Sequence, residues 1–462
     1  MQLTTINPAT GQPIRTYPQM GRDEINQKVL AARTAFSEWK RDFGKRKALI
    51  YTLVEYLRKN KIQLAEVATQ EMGKVLKESI SEVEKCAWAL EFYADNGGSF
   101  INEEVLNTDA RKSFITFEPL GIVASIMPWN FPYWQALRFV APSLMAGNVI
   151  VMKPSSVTTQ CGLELEKAFR QSGFPEGAFQ IIVGSSESAN HLIDSDVNAV
   201  TFTGSTKIGA MVGQRAASQL KKCVLELGGS DPFIVLEDAN VEKAANGAVK
   251  GRFINCGQSC IASKRFIVSK KIAGEFIEKF IHNTSRLSIG DPMAIETDIG
   301  PLVNKDALEN ISSLVDDARL KGAEVLLGGE KTGSAGYFYK PTILSGIKPD
   351  MRIAREETFG PVAPITIFED EKDALRIAND SEFGLGASIW TENLNKAETL
   401  SRQVESGIVT VNNVVISDPR IPFGGIKNSG YGRELSRYGM LEFVNIKSVR
   451  FYDNLIHHHY VE

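Results

Sequence analysis

Between residues 120 and 270, short and nearly unbroken apolar runs alternate with helical segments, and no other feature restricts the fold so strongly. GIVASIMP (121–128), VIVMKPS (149–155), AFQIIVG (178–184), AVTFT (199–203), VLELGG (224–229) and DPFIVL (231–236) read as strands buried on both faces. The segments between them place apolar residues three and four apart, as at Leu137, Val140 and Leu144. This alternation implies right-handed βαβ units and a parallel sheet with helices on both faces. It resumes at RFIVS (265–269), AEVLLGG (323–329), PVAPITIF (361–368), ASIWT (387–391) and GIVTVN (407–412), which predicts a second α/β domain. Residues 1–20 read as extended and turn-rich, and helices follow from Asp23 to Asn96-Gly97-Gly98, a triplet expected to break the run. SFITFEP (113–119) and EFVNIKSVRFYD (442–453) alternate like edge strands outside either sheet. Exposed edges tend to pair, so an oligomer interface is expected there.

Composition narrows the function. A net charge of −3 gives no electrostatic case for nucleic acid or an anionic membrane surface. No apolar run reaches the roughly 20 residues of a membrane helix. The start, MQLTTINPATG, lacks a signal-peptide pattern, and five cysteines make an odd number, so a cytoplasmic location is expected. Of five histidines, His457–His459 form a run near the end, leaving His191 and His282 in the body.

Chemistry concentrates in FINCGQSCIASKR (253–265), where Cys256 and Cys260 lie among glycine and polar residues. One of them is a candidate nucleophile; a buried structural thiol is the alternative. No second Cys/His pair at ligand spacing supports zinc. Asn130, Lys153 and Gly204-Ser205 fall at predicted strand ends, where open α/β sheets bind ligands. A Gly-Ser turn opening a helix presents free N–H groups to a phosphate, although taken alone it is more commonly an N-capped helix after a strand. Glu226, between two leucines, is a candidate general base, because burial raises a carboxyl pKa.

PWNFP (128–132), KPS (153–155), FTGST (202–206), LELGG (225–229), FINCGQSC (253–260), EETFGPV (356–362) and PFGGIKNSG (422–430) stand in the order and spacing of the aldehyde dehydrogenase superfamily, which the chain resembles over nearly its whole length. KKCVLELGGSDPFIVL (221–236) is similar to the short bacterial succinate-semialdehyde dehydrogenases. The resemblance implies two doubly wound parallel-sheet domains with a small β oligomerisation flap. Residues 1–109 and 120–229 would bind nucleotide, 230–437 would be catalytic, and 110–119 with 438–462 would join subunits of a homodimer or homotetramer.

The resemblance further implies NAD(P)-dependent oxidation of an aldehyde, through a thiohemiacetal and thioester on Cys260, with no metal. Glu226 would be the general base. The Asn130 side chain and the Cys260 backbone N–H would hold the oxyanion. Trp129, Lys153, Ser155, Ser156, Gly204, Ser205, Leu227, Glu357 and Phe359 would form the nucleotide site. Ser156 stands where many members carry a glutamate that would repel a 2′-phosphate, so NADP is expected to be accepted, with NAD also used. Arg138 and Ser417 match residues that bind the distal carboxylate of succinate semialdehyde. A second arginine is replaced by Ile254, and Arg420 is the candidate substitute. Glutarate semialdehyde or an aliphatic aldehyde stays open as substrate, as does a nucleotide-independent thiol esterase. Cys256, four residues from Cys260, would share a helix face with it if the segment were helical.

Overall fold

In the computed structural model, which describes residues 2–453, the apolar runs become strands of two large sheets. The first contains the parallel strands Ile122–Ile126, Val149–Lys153, Phe179–Ile181, Ala199–Thr203 and Lys222–Glu226. A short strand, Gly430–Tyr431, adds antiparallel to Lys222–Glu226 at one edge. That strand lies more than 200 residues along the chain, so a segment from the second half closes the first sheet. The second sheet has seven strands; Thr342–Ser345, Val362–Phe368, Ser263–Ser269, Asp231–Val235, Gly386–Trp390 and Ile408–Val411 run parallel in that order, with Ile408–Val411 at one edge. Glu324–Leu327 joins its edge antiparallel to Thr342–Ser345.

Lys112–Pro119 and Val444–Phe451 pair antiparallel over their full length, with Glu104–Leu106 on the other side, as a separate three-stranded sheet. The expectation that these strands lie outside either main sheet holds for the described residues. His457–His459, and the part of the expected flap beyond 453, lie outside them.

Residues 1–20, expected to be extended and turn-rich, form a hairpin, Gln2–Ile6 against Pro13–Pro18, with a register shift between Thr5 and Ile6. One local reading changes. The helix Leu76–Phe100 runs straight through Asn96-Gly97-Gly98. A Cβ at Gly97 would stand 3.4 Å from Met440 Cε, and one at Gly98 would stand 3.2 Å from the Phe43 ring. The glycines permit close packing there, and tertiary contact outweighs a propensity cost of about 1 kcal/mol each. This helix matters for function: it packs along Trp134–Ala146, the helix that follows PWNFP.

Candidate active site

The cysteine segment is a strained loop. The helix Val241–Phe253 ends, and Asn255 (φ 50°), Cys256 (φ 54°) and Gly257 (φ 73°) all adopt the left-handed region before the strand Ser263–Ser269. Non-glycine residues held there mark a backbone that its surroundings over-determine. A Cβ at Gly257 would fall 2.3 Å from the Gly360 carbonyl oxygen, so only glycine fits. Cys256 and Cys260 therefore share no helix face, and Cys256 is buried with its thiol pushed up to about 12 by desolvation.

The loop's carbonyls are held from outside. Arg252 Nη2 donates to Gly257 O at 2.8 Å. Asn130 Nδ2 and Asn255 Nδ2 both donate to Gln258 O, at 3.1 and 3.2 Å. Lys264 Nζ donates to Ser259 O at 2.8 Å and to Cys260 O at 2.6 Å. Half-buried Cys260 emerges from this frame into a cavity of about 320 Å³. Desolvation pushes its thiol up to about 11, against the opposing charges of Arg138 and Lys264.

Asn130 is buried in the turn after Ile122–Ile126. One amide N–H is spent on Gln258 O and the other is available, while Oδ1 has no partner among the described residues. Glu226 ends the strand Lys222–Glu226, 2% exposed, and neither carboxylate oxygen finds a partner among the described residues. Desolvation holds its carboxyl well above the ordinary range; the Glu434 charge adds to this, and Arg138 opposes it. Glu226 and Asn130 are not part of the cavity's lining.

The expected substrate residues separate. Arg138 and Ser417 line the cavity with Cys260 and Ile254. Arg138 is fully buried, its Nε bonded to the Glu434 carboxylate and its guanidinium 4.4 Å from the Phe423 ring centre. Its Nη2 has no partner among the described residues. Arg420 does not reach the cavity. It is exposed, and its guanidinium donates to both oxygens of Asp418, at 2.9 and 2.6 Å, because Asp418 two residues away is the nearer carboxylate. The residue that pattern reading missed is Lys85, on Leu76–Phe100, whose Nζ lines the cavity and donates to Ser417 Oγ at 2.7 Å. The available signal was its place next to the buried stripe Glu82, Val83 and Cys86.

Most of the residues expected to bind nucleotide lie at the carboxyl ends of the first sheet, with Glu357 and Phe359 reaching it from the segment before Val362–Phe368. Lys153, at the end of its strand, is buried, and desolvation alone brings its ammonium down to about 8. The helix Thr206–Ala217 starts at Ser205 without a side-chain cap, leaving its first N–H groups free. A Cβ at Gly204 would come 2.5 Å from the Phe202 ring, and one at Gly209 would come 2.2 Å from Leu227 Cδ2, so bare backbone and Leu227 crowd this turn. Ser155 Oγ caps Val157 N at 3.3 Å, and Ser156 beside it is half-buried. Glu357 accepts from Gly229 N at 3.1 Å, and Phe359 meets the Trp129 ring edge-on at 5.7 Å. An ammonium and an uncapped helix start as donors, with a carboxylate as acceptor, fit the pyrophosphate and ribose diol of a nicotinamide dinucleotide.

The chain is 45% identical over 451 residues to a probable NADP(+) succinate-semialdehyde dehydrogenase of a Synechocystis strain, covering 97% of this chain and 99% of that one. It is 40% identical over 447 residues to an Escherichia coli K12 NAD(P)+ succinate semialdehyde dehydrogenase, covering 96% and 97%. The solved succinic semialdehyde dehydrogenase of Streptococcus pyogenes, in complex with NADP+, superposes with a TM-score of 0.95 at 34% identity, covering 98% of this chain and 100% of that one. The aldehyde dehydrogenase family model matches residues 1–449, and with it the loop, the sheet-end cradle and the cavity acquire a common lineage: this chain belongs to the aldehyde dehydrogenase family.

Proposed function

We propose that this aldehyde dehydrogenase oxidises succinate semialdehyde to succinate, with NADP accepted and NAD also used. One observation carries the reading: a single cavity of about 320 Å³ has Cys260 on one wall and the cationic, hydrogen-bonding pair Arg138 and Ser417 on another. That volume lies at the small end of ligand pockets, which suits a four-carbon substrate. The names of the relatives point the same way.

The roles are those the family resemblance assigns, and the geometry of the loop supports them. Cys260 Sγ attacks the aldehyde carbon as thiolate. The free Asn130 N–H and the Cys260 backbone N–H hold the oxyanion, on a loop whose carbonyls Lys264, Arg252 and Asn255 already restrain. Such preorganised donors are worth about 3–4 kcal/mol each. The nicotinamide dinucleotide, when bound, supplies the two-electron acceptor for the aldehyde hydrogen. Lys153, Ser155, Ser156, Gly204 and Ser205 would hold its phosphates and adenosine ribose, Glu357 would take the second ribose, and Trp129, Leu227 and Phe359 would pack about the nicotinamide. Glu226, a strong base once ionised because burial disfavours its charge, takes a proton from the water that cleaves the thioester.

Residues 1–109 with 120–229 serve as the nucleotide domain and 230–437 as the catalytic domain. The three-stranded sheet, with Val105, Leu106, Ile446 and Phe451 exposed, joins subunits of a cytoplasmic homo-oligomer. Among the described residues no helix is long and apolar enough to cross a membrane. The test is steady-state kinetics on succinate semialdehyde, glutarate semialdehyde and butanal with each nucleotide. The expected result is the highest kcat/KM for succinate semialdehyde. A higher value for butanal refutes the substrate, and turnover of an ester with no nucleotide-dependent absorbance at 340 nm refutes the reaction.

A further inference from the structure

Three cationic side chains line the cavity beside Cys260: Lys85, Arg138 and Lys250. Arg138 is neutralised by Glu434. Lys250 is exposed, and solvent carries its charge. Lys85 differs from both. Burial brings its ammonium down to about 8, with the Arg138 charge adding to the effect, and no carboxylate lies within ion-pair distance among the described residues. It donates to Ser417 Oγ at 2.7 Å and stands 4.3 Å from the Trp134 ring centre. An ammonium has three N–H donors. One goes to Ser417, and a ring face is a weak substitute for an anion.

The carboxylates nearby are engaged elsewhere. Glu78 accepts from Asn255 N at 2.9 Å. Glu82 is bonded to Lys74 and accepts from Tyr133 N and Trp134 N at 2.9 and 2.8 Å. Asp418, next to Ser417, is taken by Arg420. Desolvating a cation without a counter-ion is costly, and Lys85 stands in the cavity with no carboxylate paired to it among the described residues.

We propose that Lys85 determines specificity in this cavity: its ammonium, oriented by Ser417, pairs with the far carboxylate of an ω-carboxylate aldehyde, and Arg138 adds its remaining Nη2 N–H. The inference rests on the cavity being the aldehyde site. It shifts the main charge of recognition from an arginine already paired with Glu434 to a lysine on the neighbouring helix. With substrate bound, each buried cation then has its own carboxylate, Arg138 with Glu434 and Lys85 with the ligand.

The experiment compares wild type, Lys85→Met, Lys85→Arg and Ser417→Ala, each assayed with NADP on succinate semialdehyde and on butanal. Thermal melting and NADP fluorescence titration establish that each variant is folded and binds nucleotide. For Lys85→Met, the ratio of kcat/KM between succinate semialdehyde and butanal is expected to fall about 30-fold or more, carried by KM, as for loss of a charged hydrogen bond. Lys85→Arg is expected to recover most of that ratio, and Ser417→Ala to lose a smaller part of it. An unchanged ratio in Lys85→Met, or an equal loss on both aldehydes, overturns the assignment of Lys85. A wild type that turns over butanal but not succinate semialdehyde overturns the substrate reading instead.

Discussion

Lys264 Nζ lies 3.3 Å from Glu357 Oε1 while donating to Cys260 O at 2.6 Å. One fully buried ammonium thus joins the loop that carries the thiol to the carboxylate expected at the nucleotide ribose. Glu357 in turn holds Gly229 N, three residues after Glu226, at 3.1 Å. The Cys260 loop, Glu357 and the segment that follows Glu226 are therefore joined by one chain of contacts.

Replacing Lys264 by Met breaks that connection. KM for NADP is expected to rise about tenfold and kcat to fall by a similar factor, since a loop misplaced by about 1 Å can cost about 100-fold. Steady-state kinetics with varied NADP, together with a melting curve, provide the check. A variant with lowered melting temperature and unchanged kinetic constants would show the contact to be structural alone.

Asn130→Ala removes the free amide N–H and also the bond to Gln258 O. A drop in kcat of about 100- to 1,000-fold is expected, with little change in KM for the aldehyde. A rise in KM at constant kcat would place Asn130 in ground-state binding.

The thiol of nucleotide-free enzyme, pushed up to about 11, is almost wholly protonated at neutral pH. Its alkylation by iodoacetamide is expected to accelerate about tenfold per pH unit from 7 to 10, since only thiolate reacts. Following Cys260 labelling by mass spectrometry measures this, and a plateau below pH 8 would contradict it.

Ser156→Glu puts a carboxylate at the position expected to face a 2′-phosphate, three residues after Lys153. KM for NADP is expected to rise at least tenfold while KM for NAD stays level or falls. In the wild type, an NAD preference above about a hundredfold, near 3 kcal/mol, would refute acceptance of NADP.

Arg420→Ala is expected to leave KM for succinate semialdehyde within about twofold, because the guanidinium is bound to Asp418 at the surface. Arg138→Leu leaves Glu434 buried without a counter-charge and is expected to destabilise the fold by about 3–5 kcal/mol. Denaturant titration of both variants, with Arg138→Leu/Glu434→Gln as the relieved pair, separates stability from binding.

What the sequence determined by itself was local and periodic. Continuous apolar strands alternating with helices permit little but parallel sheets, and the turns at Asn130, Lys153 and Gly204-Ser205 fall at strand ends because chain order puts them there. Glu226 was legible because an acid interrupts an apolar strand, and Cys260 because a thiol stands among glycine and polar residues. Only the tertiary structure decided how charges pair. Arg138 meets Glu434 from 296 residues away, and Lys85 meets Ser417 across 332, distances over which no periodicity speaks. Arg420 was drawn off by a carboxylate two residues from it. Gly97 and Gly98 stayed helical because Met440, Met145 and Phe43 press against them. The left-handed backbone at Asn255 and Cys256 is likewise imposed from outside, by packing against Gly360 and the bonds from Arg252, Asn130 and Lys264. Local propensity sets which elements form; the pairing of buried charges depends on which elements the closed fold brings together.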